Sequence, residues 1–247
     1  VRAYATGPSR TRQGDPMDYI CEEVAGYVEE GFSAVKLKIG FEVSEDVALI
    51  RAVRDTIGPD TGLMLDANHG YDTVDAIKLG QQVEELDIGW FEEPVAPEDL
   101  DGYCAIKAAI NIPLAGGECE YTRFGFREIL RRRAIDYLQP DTAAAGGLSE
   151  CKKIADMANA FGVRYVPHVW GSGIGLAAAL QLLAVLPHNP PGRRPWEPLL
   201  EFDRSEHPFR QAIMKKPIEH ANGVVTIPDG PGLGIEIDRD ALESFKN

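Results

Sequence analysis

The sequence predicts an α/β fold of the TIM-type (β/α)8 barrel class. Short β-favouring runs alternate with longer amphipathic runs along most of the 247-residue chain. Such alternation is typical of parallel βαβ units. Through the middle of the chain the strand-like runs recur about every 26 residues, and this even spacing favours closure into a barrel. The length of the chain is normal for one such domain.

Eight runs are predicted as strands because each is short, apolar and rich in β-branched or aromatic residues. They cover residues 1–6, 34–39, 62–67, 89–94, 112–118, 135–141, 163–168 and 198–203. A doubly wound open sheet is the structural alternative to the barrel. No glycine-rich dinucleotide fingerprint follows the first strand, which weakens that alternative.

Helical periodicity marks the intervening runs, most clearly at residues 17–31, 44–58 and 148–162, each of which ends in a glycine. The first run places Ile20, Val24 and Val28 on one face. The second opens with Ser44, a residue type that commonly caps helix N-termini. The apolar run GIGLAAALQLLAVLP is shorter than the roughly 20 residues of a membrane helix and is predicted as a core helix.

The last segment of the chain does not fit the strand–helix repeat. Its core, NGVVTIPDGPGLGIEI, has the pattern of a strand, a Pro/Gly turn and a further extended piece. We therefore predict a barrel domain that carries the catalytic residues over residues 1–220 and a C-terminal extension, residues 221–247, that packs outside it.

Composition narrows the function classes. The formal net charge of −14, from 39 acidic and 25 basic residues, argues against nucleic acid and anionic membranes as partners. The four cysteines form no CxxC pair, so the sequence indicates neither a disulfide framework nor a zinc site: Cys21, Cys104, Cys119 and Cys151. A reducing, cytoplasmic location is expected.

Ionisable residues stand near the carboxyl ends of seven consecutive predicted strands, where barrel enzymes place their active sites. They are Lys36 and Lys38, Asp66, Glu92, Glu118, Asp141, His168 and Glu201. One acidic residue at a strand end is commonly a helix cap or a solvated loop residue. The unbroken series indicates a catalytic site instead.

Three of these carboxylates predict a metal site. Asp66, Glu92 and Glu118 lie on adjacent strands at equal spacings of 26 residues. Like charges that converge require a cation, and an all-oxygen ligand set favours Mg²⁺. The alternative is a metal-free hydrogen-bonded network of these groups with the two lysines and Asn68.

Glu93 competes with Glu92 for the role of ligand. Strand alternation turns one of the two inward, not both. We choose Glu92 because Pro94 already ends the strand.

The motifs VKLKIG, LDAN, WFEEP, GGE, QPD, VPH and GPGLGIE, in this order, resemble the enolase superfamily, and more narrowly its mandelate racemase subgroup (the mandelate racemase/muconate lactonizing enzyme family). The match covers essentially the whole chain. It implies a (β/α)7β barrel, which has seven β/α units plus a final strand. It also implies Mg²⁺ held at Asp66, Glu92 and Glu118. The muconate lactonizing branch is a poorer match, because it would carry a lysine near position 141 and usually Asp at 118.

The resemblance also implies the catalytic roles. Lys38 would be the acid/base group on one face of the substrate, and His168, paired with Asp141, would be the group on the other. Glu201 matches a carboxylic acid that hydrogen-bonds the substrate carboxylate, which Lys36 would also meet. Lys38 needs a lowered pKa to act as a base, and a neighbouring ammonium and a divalent cation would both lower it. The alternatives are a structural salt bridge for Lys38 and a core or helix-capping role for His168.

The expected chemistry is removal of the proton α to a carboxylate, which gives an enediolate. Dehydration of a sugar acid or another hydroxy acid is the favoured outcome. Racemisation or epimerisation of a 2-hydroxy or amino carboxylate is the alternative, and a non-catalytic ligand-binding barrel or inactive fragment is the second. A small carboxylate substrate and a homo-oligomer are expected.

Further residues near the strand ends are candidates to contact the substrate, namely Asn68, Tyr121 and Trp170, with Cys119 beside them. Four other histidines are predicted as surface or loop residues: His69, His188, His207 and His220. Members of the family carry an α+β capping domain before the barrel, and we expect this chain to lack it. Without that lid the barrel should bind metal but select substrates poorly.

Overall fold

Within residues 1–8, 10, 15–186 and 196–246, which the computed structural model describes, eight parallel strands form one sheet. They are β1 (Ala3–Thr6), β2 (Ala34–Lys38), β3 (Gly62–Asp66), β4 (Ile88–Glu92), β5 (Leu114–Gly116), β6 (Tyr137–Leu138), β7 (Arg164–Tyr165) and β8 (Leu200–Asp203). The strand order is β7-β6-β5-β4-β3-β2-β1-β8. All eight predicted strands are confirmed, although β5, β6 and β7 are shorter than the runs that predicted them.

The sheet is curled into a barrel. This is seen from side chains of strands around the whole sheet, which meet in one interior cluster. Its members are Tyr4, Ala34, Met64, Trp90, Ala115, Tyr137 and Val166. Between β7 and β8 the described residues form no backbone ladder. There the backbone N–H of Val169 donates to Oε2 of Glu201 at 3.0 Å, so a side chain links the two edges. The predicted barrel is confirmed over the open sheet.

Alternate residues of the same strands point outward to the helices. Leu37, Leu63, Leu65 and Phe91 are fully buried in the larger hydrophobic core, which lies between the strands and the surrounding helices. Strands that are covered on both faces read as nearly continuous apolar runs. This explains why most residues of these strands are apolar.

Helices follow the strands in regular alternation. They are α1 (Pro16–Glu29), α2 (Val43–Ile57), α3 (Thr73–Val83) with a 3₁₀ turn at Glu84–Leu86, α4 (Leu100–Ala109), α5 (Thr122–Arg132), α6 (Gly147–Phe161), α7 (Gly173–Leu183), α8 (Pro208–Ala212) and α9 (Arg239–Ser244). No helix in the described ranges is long and apolar enough to span a bilayer.

The predicted apolar face of α1 packs against the core: Ile20 and Val24 are buried there with Tyr27, and Val28 is partly buried against it. The predicted start of α2 is wrong. Helix α2 begins at Val43, one residue before the predicted cap Ser44, and its N-cap residue makes no side-chain hydrogen bond. The predicted glycine ends of α2 and α6 are confirmed, with φ of 73° and 72° at their C-caps.

The C-terminal segment packs beside the amino-terminal end of β1. An antiparallel hairpin of β9 (His220–Ala221) and β10 (Val224–Val225) is attached there through the N–H of Ala3, which donates to the carbonyl of Gly223 at 2.8 Å. Farther along, Gln181 of α7 donates to the carbonyl of Pro228 at 2.7 Å. The division of the chain at residues 220 and 221 falls within β9 and stays a prediction.

Candidate active site

The carboxyl ends of the strands bring the predicted residues together in a defined register. Lys38 of β2 pairs with Asp66 of β3, and Asp66 pairs with Glu92 of β4. Side chains in register on neighbouring parallel strands share one face. Nζ of Lys36 and Nζ of Lys38 lie 3.5 and 2.5 Å from the same oxygen, Oδ2 of Asp66, which confirms that the two lysines face the same side.

A group of three carboxylates lies at the centre of this end of the barrel. Ligand atoms of Asp66, Glu92 and Glu118 all lie within 4.8 Å of one another. Asp66 and Glu92 are buried and Glu118 is nearly so. Two neutral donors hold Glu92 in place, because Trp90 Nε1 and Gln139 Nε2 bond its Oε2 at 2.9 and 2.8 Å.

Lys36 is surrounded by acidic groups. Its Nζ lies 2.6 Å from Oε1 of Glu92, 2.7 Å from Oε1 of Glu201 and 3.5 Å from Oδ2 of Asp66, and its side chain is fully buried. Burial lowers the pKa of Lys36, but Glu201 and Glu92 raise it by more, so the net shift is well upward. Lys36 is therefore a fixed positive charge under the site.

Lys38 lies closer to solvent and contacts one end of the carboxylate group. Its Nζ is 2.5 Å from Oδ2 of Asp66 and 2.9 Å from Oδ1 of Asn68. Burial and then Lys36 lower the pKa of Lys38, but the charges of Asp66 and Glu92 raise it by more. The lowered pKa predicted for this lysine is therefore not found in this charge network, because the adjacent carboxylates outweigh the neighbouring ammonium.

His168 and Asp141 form the predicted dyad at the other end of the group. Nδ1 of His168 lies 2.8 Å from Oδ2 of Asp141, and Nε2 lies 3.2 Å from Oε2 of Glu118. Asp141 also accepts hydrogen bonds from the N–H groups of Ala143 and Ala144, which fixes its carboxylate. Burial lowers the pKa of His168, but the Asp141 hydrogen bond, then Glu201 and Glu118, raise it to about 9.

Glu201 links the final strand to this network. Its Oε1 pairs with Lys36, and its Oε2 accepts the N–H of Val169. Burial raises the pKa of Glu201, but Lys36 and then His168 lower it below its usual range. The carboxylic acid predicted at this position is thus ionised in this network, since two cations face it.

The donor set fits a hard divalent cation. All three groups offer carboxylate oxygens, the ligands that Mg²⁺ prefers. Oε2 of Glu118 is buried and accepts no hydrogen bond from the described residues, although His168 is within ion-pair distance. Three carboxylates whose oxygens lie within 4.8 Å of one another repel unless cations lie near them. The chain therefore carries an acidic group that could hold a metal ion.

Glu93 departs from the strand alternation that the sequence argument assumed. Its φ of 41° is left-handed, so the chain turns directly after Glu92 and both carboxyl groups are buried at this end of the barrel. Burial, then Glu118 and Asp66, raise the pKa of Glu93 to about 8. Glu92, the residue chosen from the sequence, lies with Asp66 and Glu118, whereas Glu93 is buried beside His69.

His69 is also more than a surface residue. Its Nε2 lies 2.8 Å from Oε2 of Glu93 and 3.7 Å from Sγ of Cys119. Sequence reasoning missed this contact because each residue stands one position beyond a group already assigned: Asn68, Glu92 and Glu118. The same one-residue offset occurs after three adjacent strands, and this repetition could have indicated that the three residues lie together.

The remaining candidates lie at the edge of the site. Asn68 contacts Lys38 directly. Tyr121 is 59 % exposed and Trp170 is 63 % exposed, and the ring of Trp170 packs edge-on against His207. Their role in binding substrate stays a prediction.

Two histidines remain of the four predicted as surface or loop residues. The ring of His220 packs against Phe32 and Phe202 and is largely buried, and the residue lies in β9, so its prediction as a surface or loop residue is wrong. His188 lies outside the described residues.

Comparisons with known proteins identify the family and several relatives of this chain. A family model described as "Enolase C-terminal domain-like" matches residues 20–241. D-galactarolactone cycloisomerase of Agrobacterium fabrum (strain C58) is 53 % identical over 246 residues, which are 100 % of this chain and 65 % of that protein. Arabinonate dehydratase of Saccharolobus solfataricus is 36 % identical over 247 residues, 100 % of this chain and 64 % of the relative.

A solved structure has nearly the same backbone. The 3,6-anhydro-D-galactonate cycloisomerase from Zobellia galactanivorans superposes with a TM-score of 0.90 at 41 % identity, over 99 % of this chain and 66 % of its own. The chain thus spans about two thirds of the length of the proteins that it resembles.

Proposed function

This chain belongs to the enolase superfamily, in the mandelate racemase/muconate lactonizing enzyme subgroup, and on that premise we propose that it removes the proton α to the carboxylate of a sugar acid in a Mg²⁺-dependent reaction. Loss of the β-oxygen of the substrate then completes an elimination. The relatives named as sugar-acid dehydratases and cycloisomerases support this choice of reaction and substrate class.

One observation carries the proposal. Lys38 contacts Asp66 at one end of the carboxylate group, and His168 contacts Glu118 at the other. A substrate carboxylate bound at the centre would therefore have one acid/base group near each side of its α-carbon. Removal of a proton on one side and donation of a proton on the other both need such an arrangement.

Asp66, Glu92 and Glu118 are the proposed ligands of Mg²⁺. When bound there, Mg²⁺ would supply positive charge to the developing oxyanion and would offset the carboxylate charge of Asp66 that holds Lys38 protonated. Lys36 adds a fixed positive charge from below, held by Glu92 and Glu201. In this assignment Lys38 takes the α-proton as the general base.

His168 is the proposed general acid. Its pKa of about 9 keeps the imidazole protonated at neutral pH, so a proton is available for the departing β-oxygen. Asp141 orients the ring through Nδ1 and leaves Nε2 directed to the site. Glu201 stabilises the positive charge of His168 and Lys36 in the same network.

Dehydration is the first candidate outcome, with a free β-hydroxyl leaving as water. Ring opening is the second, because the relative of 53 % identity and the superposed structure are both named cycloisomerases. There the leaving oxygen would belong to a ring of the substrate, so the product is an isomer of the substrate. The same proton removal and the same acid serve both outcomes. Racemisation is not favoured by these relatives.

An assay of sugar acids and their lactones with Mg²⁺ tests the proposal. We expect a 2-keto acid to form, and mass spectrometry then separates dehydration, which removes one water, from ring opening, which leaves the mass unchanged. Chelation of the metal should stop both. If deuterated water yields α-deuterated substrate of inverted configuration and no keto acid, the elimination proposal is wrong and the reaction is a racemisation.

We further propose a small-molecule partner, a cytoplasmic location and a homo-oligomer. The acidic net charge supports a small-molecule partner and no nucleic acid or membrane. The four free cysteines support a reducing cytoplasmic location. A homo-oligomer is proposed from the family resemblance, and light scattering of the purified protein tests it.

A further inference from the structure

A second group of potential metal ligands lies beside the three carboxylates. His69, Glu93 and Cys119 each follow one of three adjacent strands, β3, β4 and β5, and their ligand atoms all lie within 4.8 Å of one another. The group shares no member with the carboxylate site. Nothing in the proposed elimination uses it.

The spacing of the atoms matches a tetrahedral metal centre. Nε2 of His69 lies 2.8 Å from Oε2 of Glu93 and 3.7 Å from Sγ of Cys119. A tetrahedral Zn²⁺ with bonds of about 2.0 Å to N and about 2.3 Å to S spaces those two ligands roughly 3.5 Å apart, and N and O roughly 3.3 Å apart. Shifts of about half an ångström would therefore complete the site.

Glu93 supplies an independent observation that favours a ligand at this position. Its side chain is 1 % exposed, and Oε1 accepts no hydrogen bond from the described residues. A buried carboxylate oxygen without a partner is costly, and a cation or its bound water would satisfy it. The imidazole of His69 satisfies only the other oxygen.

The chemistry of the three donors selects the ion. Imidazole nitrogen and thiolate sulfur suit Zn²⁺ and poorly suit Mg²⁺, which prefers oxygen ligands. Three protein ligands leave the fourth tetrahedral position open for water or an oxygen of a bound molecule. The negative charge of Glu118, the residue before Cys119, further favours a cation.

We propose that His69, Glu93 and Cys119 bind a zinc-type divalent ion at a site separate from the magnesium carboxylates. The site ties together the segments that follow β3, β4 and β5. It stands whether or not the elimination reaction is confirmed, because it depends on metal binding alone.

Calorimetric titration of Zn²⁺ into the protein at saturating Mg²⁺, with a non-thiol reductant, tests the site. We expect one Zn²⁺ per chain in the parent, and Cys119→Ser should weaken binding by more than about tenfold, since even indirect supports of a metal cost that much. The matched control is Cys104→Ser, which removes a thiol outside this group, 3.9 Å from the carbonyl of Arg132, and should leave binding unchanged. Equal binding by the parent and Cys119→Ser would overturn the proposal.

Cobalt identifies the ligand directly. Co²⁺ added at saturating Mg²⁺ should give a thiolate-to-metal charge-transfer band in the near ultraviolet, absent in Cys119→Ser and reduced in His69→Gln. Glu92→Gln, which alters the carboxylate site, should keep the band. A parent protein without the band, or a band lost with Glu92→Gln and kept with Cys119→Ser, would show that the ion binds elsewhere. Circular dichroism of each variant checks that it folds.

Discussion

Nζ of Lys36 lies 2.6 Å from Oε1 of Glu92, and both side chains are buried beneath the candidate active site. The pair joins strands β2 and β4 across β3, which contributes Asp66 between them. Neither charge reaches bulk water, so each depends on the other for its stability.

Replacement of Lys36 by Met should destabilise the metal-free protein by about 3–5 kcal/mol, because Glu92 and Glu201 lose the cation that both contact. Urea unfolding with a chelator measures the effect. Added Mg²⁺ should restore part of the loss, since the ion provides charge at the same carboxylates. Lys38→Met is the control and should cost less, because that side chain is 31 % exposed. A smaller loss for Lys36→Met than for Lys38→Met would contradict this account.

Glu92→Gln should weaken Mg²⁺ binding by more than about tenfold, since it removes one of three anionic ligands. Calorimetry with Mg²⁺ measures the change. Glu98→Gln makes the same chemical change at an exposed position of the following loop and should leave the affinity intact. If the parent protein shows no metal-dependent heat at all, the non-catalytic interpretation of the barrel gains support.

Asp141→Asn should lower the pKa of His168. The hydrogen bond to Asp141 is the largest of the contributions that raise this pKa to about 9, against the lowering effect of burial. The amide still accepts from Ala143 and Ala144 through its oxygen, so the loop should hold. Titration of the His168 ring by NMR in the metal-free protein measures the shift. An unchanged pKa would contradict the prediction and would mean that Glu201 and Glu118 alone keep the pKa of His168 raised.

The same group predicts a pH dependence of stability. Because the folded pKa of His168 is raised from 6.5 to about 9, its stabilising contribution is full below pH 6.5. That contribution should be lost as the pH rises from 6.5 through about 9. Unfolding free energies of metal-free parent and Asp141→Asn across this range test it, and the variant should show a shallower fall.

Lys38→Ala should abolish exchange of the substrate α-proton with solvent, because Lys38 is the proposed general base and His168 is held protonated as the general acid. Removal of a positioned acid/base group typically costs about 10²–10⁴-fold in rate. NMR in deuterated water follows the exchange, and His168→Asn should keep the exchange while it slows formation of the keto acid. Normal exchange by Lys38→Ala would refute the role of this lysine.

The resemblance and the local pattern of the sequence together were enough for the barrel and for most of the site. A strand places alternate residues on one face, so the spacing of Lys36 and Lys38 already put both on the same side. The recurrence of Asp66, Glu92 and Glu118 every 26 residues placed one carboxylate on each of three adjacent strands. The local periodicity of the sequence determines on which strand and on which face each of these side chains lies. Tertiary packing then brings the neighbouring strands into register.

Other features depend on contacts between distant parts of the chain. The left-handed φ of Glu93 turns a second carboxyl inward, which strand alternation does not foresee. Its contact with His69 and Cys119 joins three segments beyond their strand ends. The sequence indicated no zinc site because the three residues of the proposed site follow no local spacing motif.

The direction of a pKa shift was likewise decided by the tertiary structure. The sequence showed Lys38 beside Lys36, and the mutual repulsion of two ammonium groups predicted a lowered pKa. The fold places Asp66 2.5 Å from Lys38 and Glu92 nearby, and their attraction exceeds both that repulsion and the effect of burial. The sequence by itself determined which charged residues share the site. Their distances, which the Coulomb energy depends on, were decided only when the barrel closed.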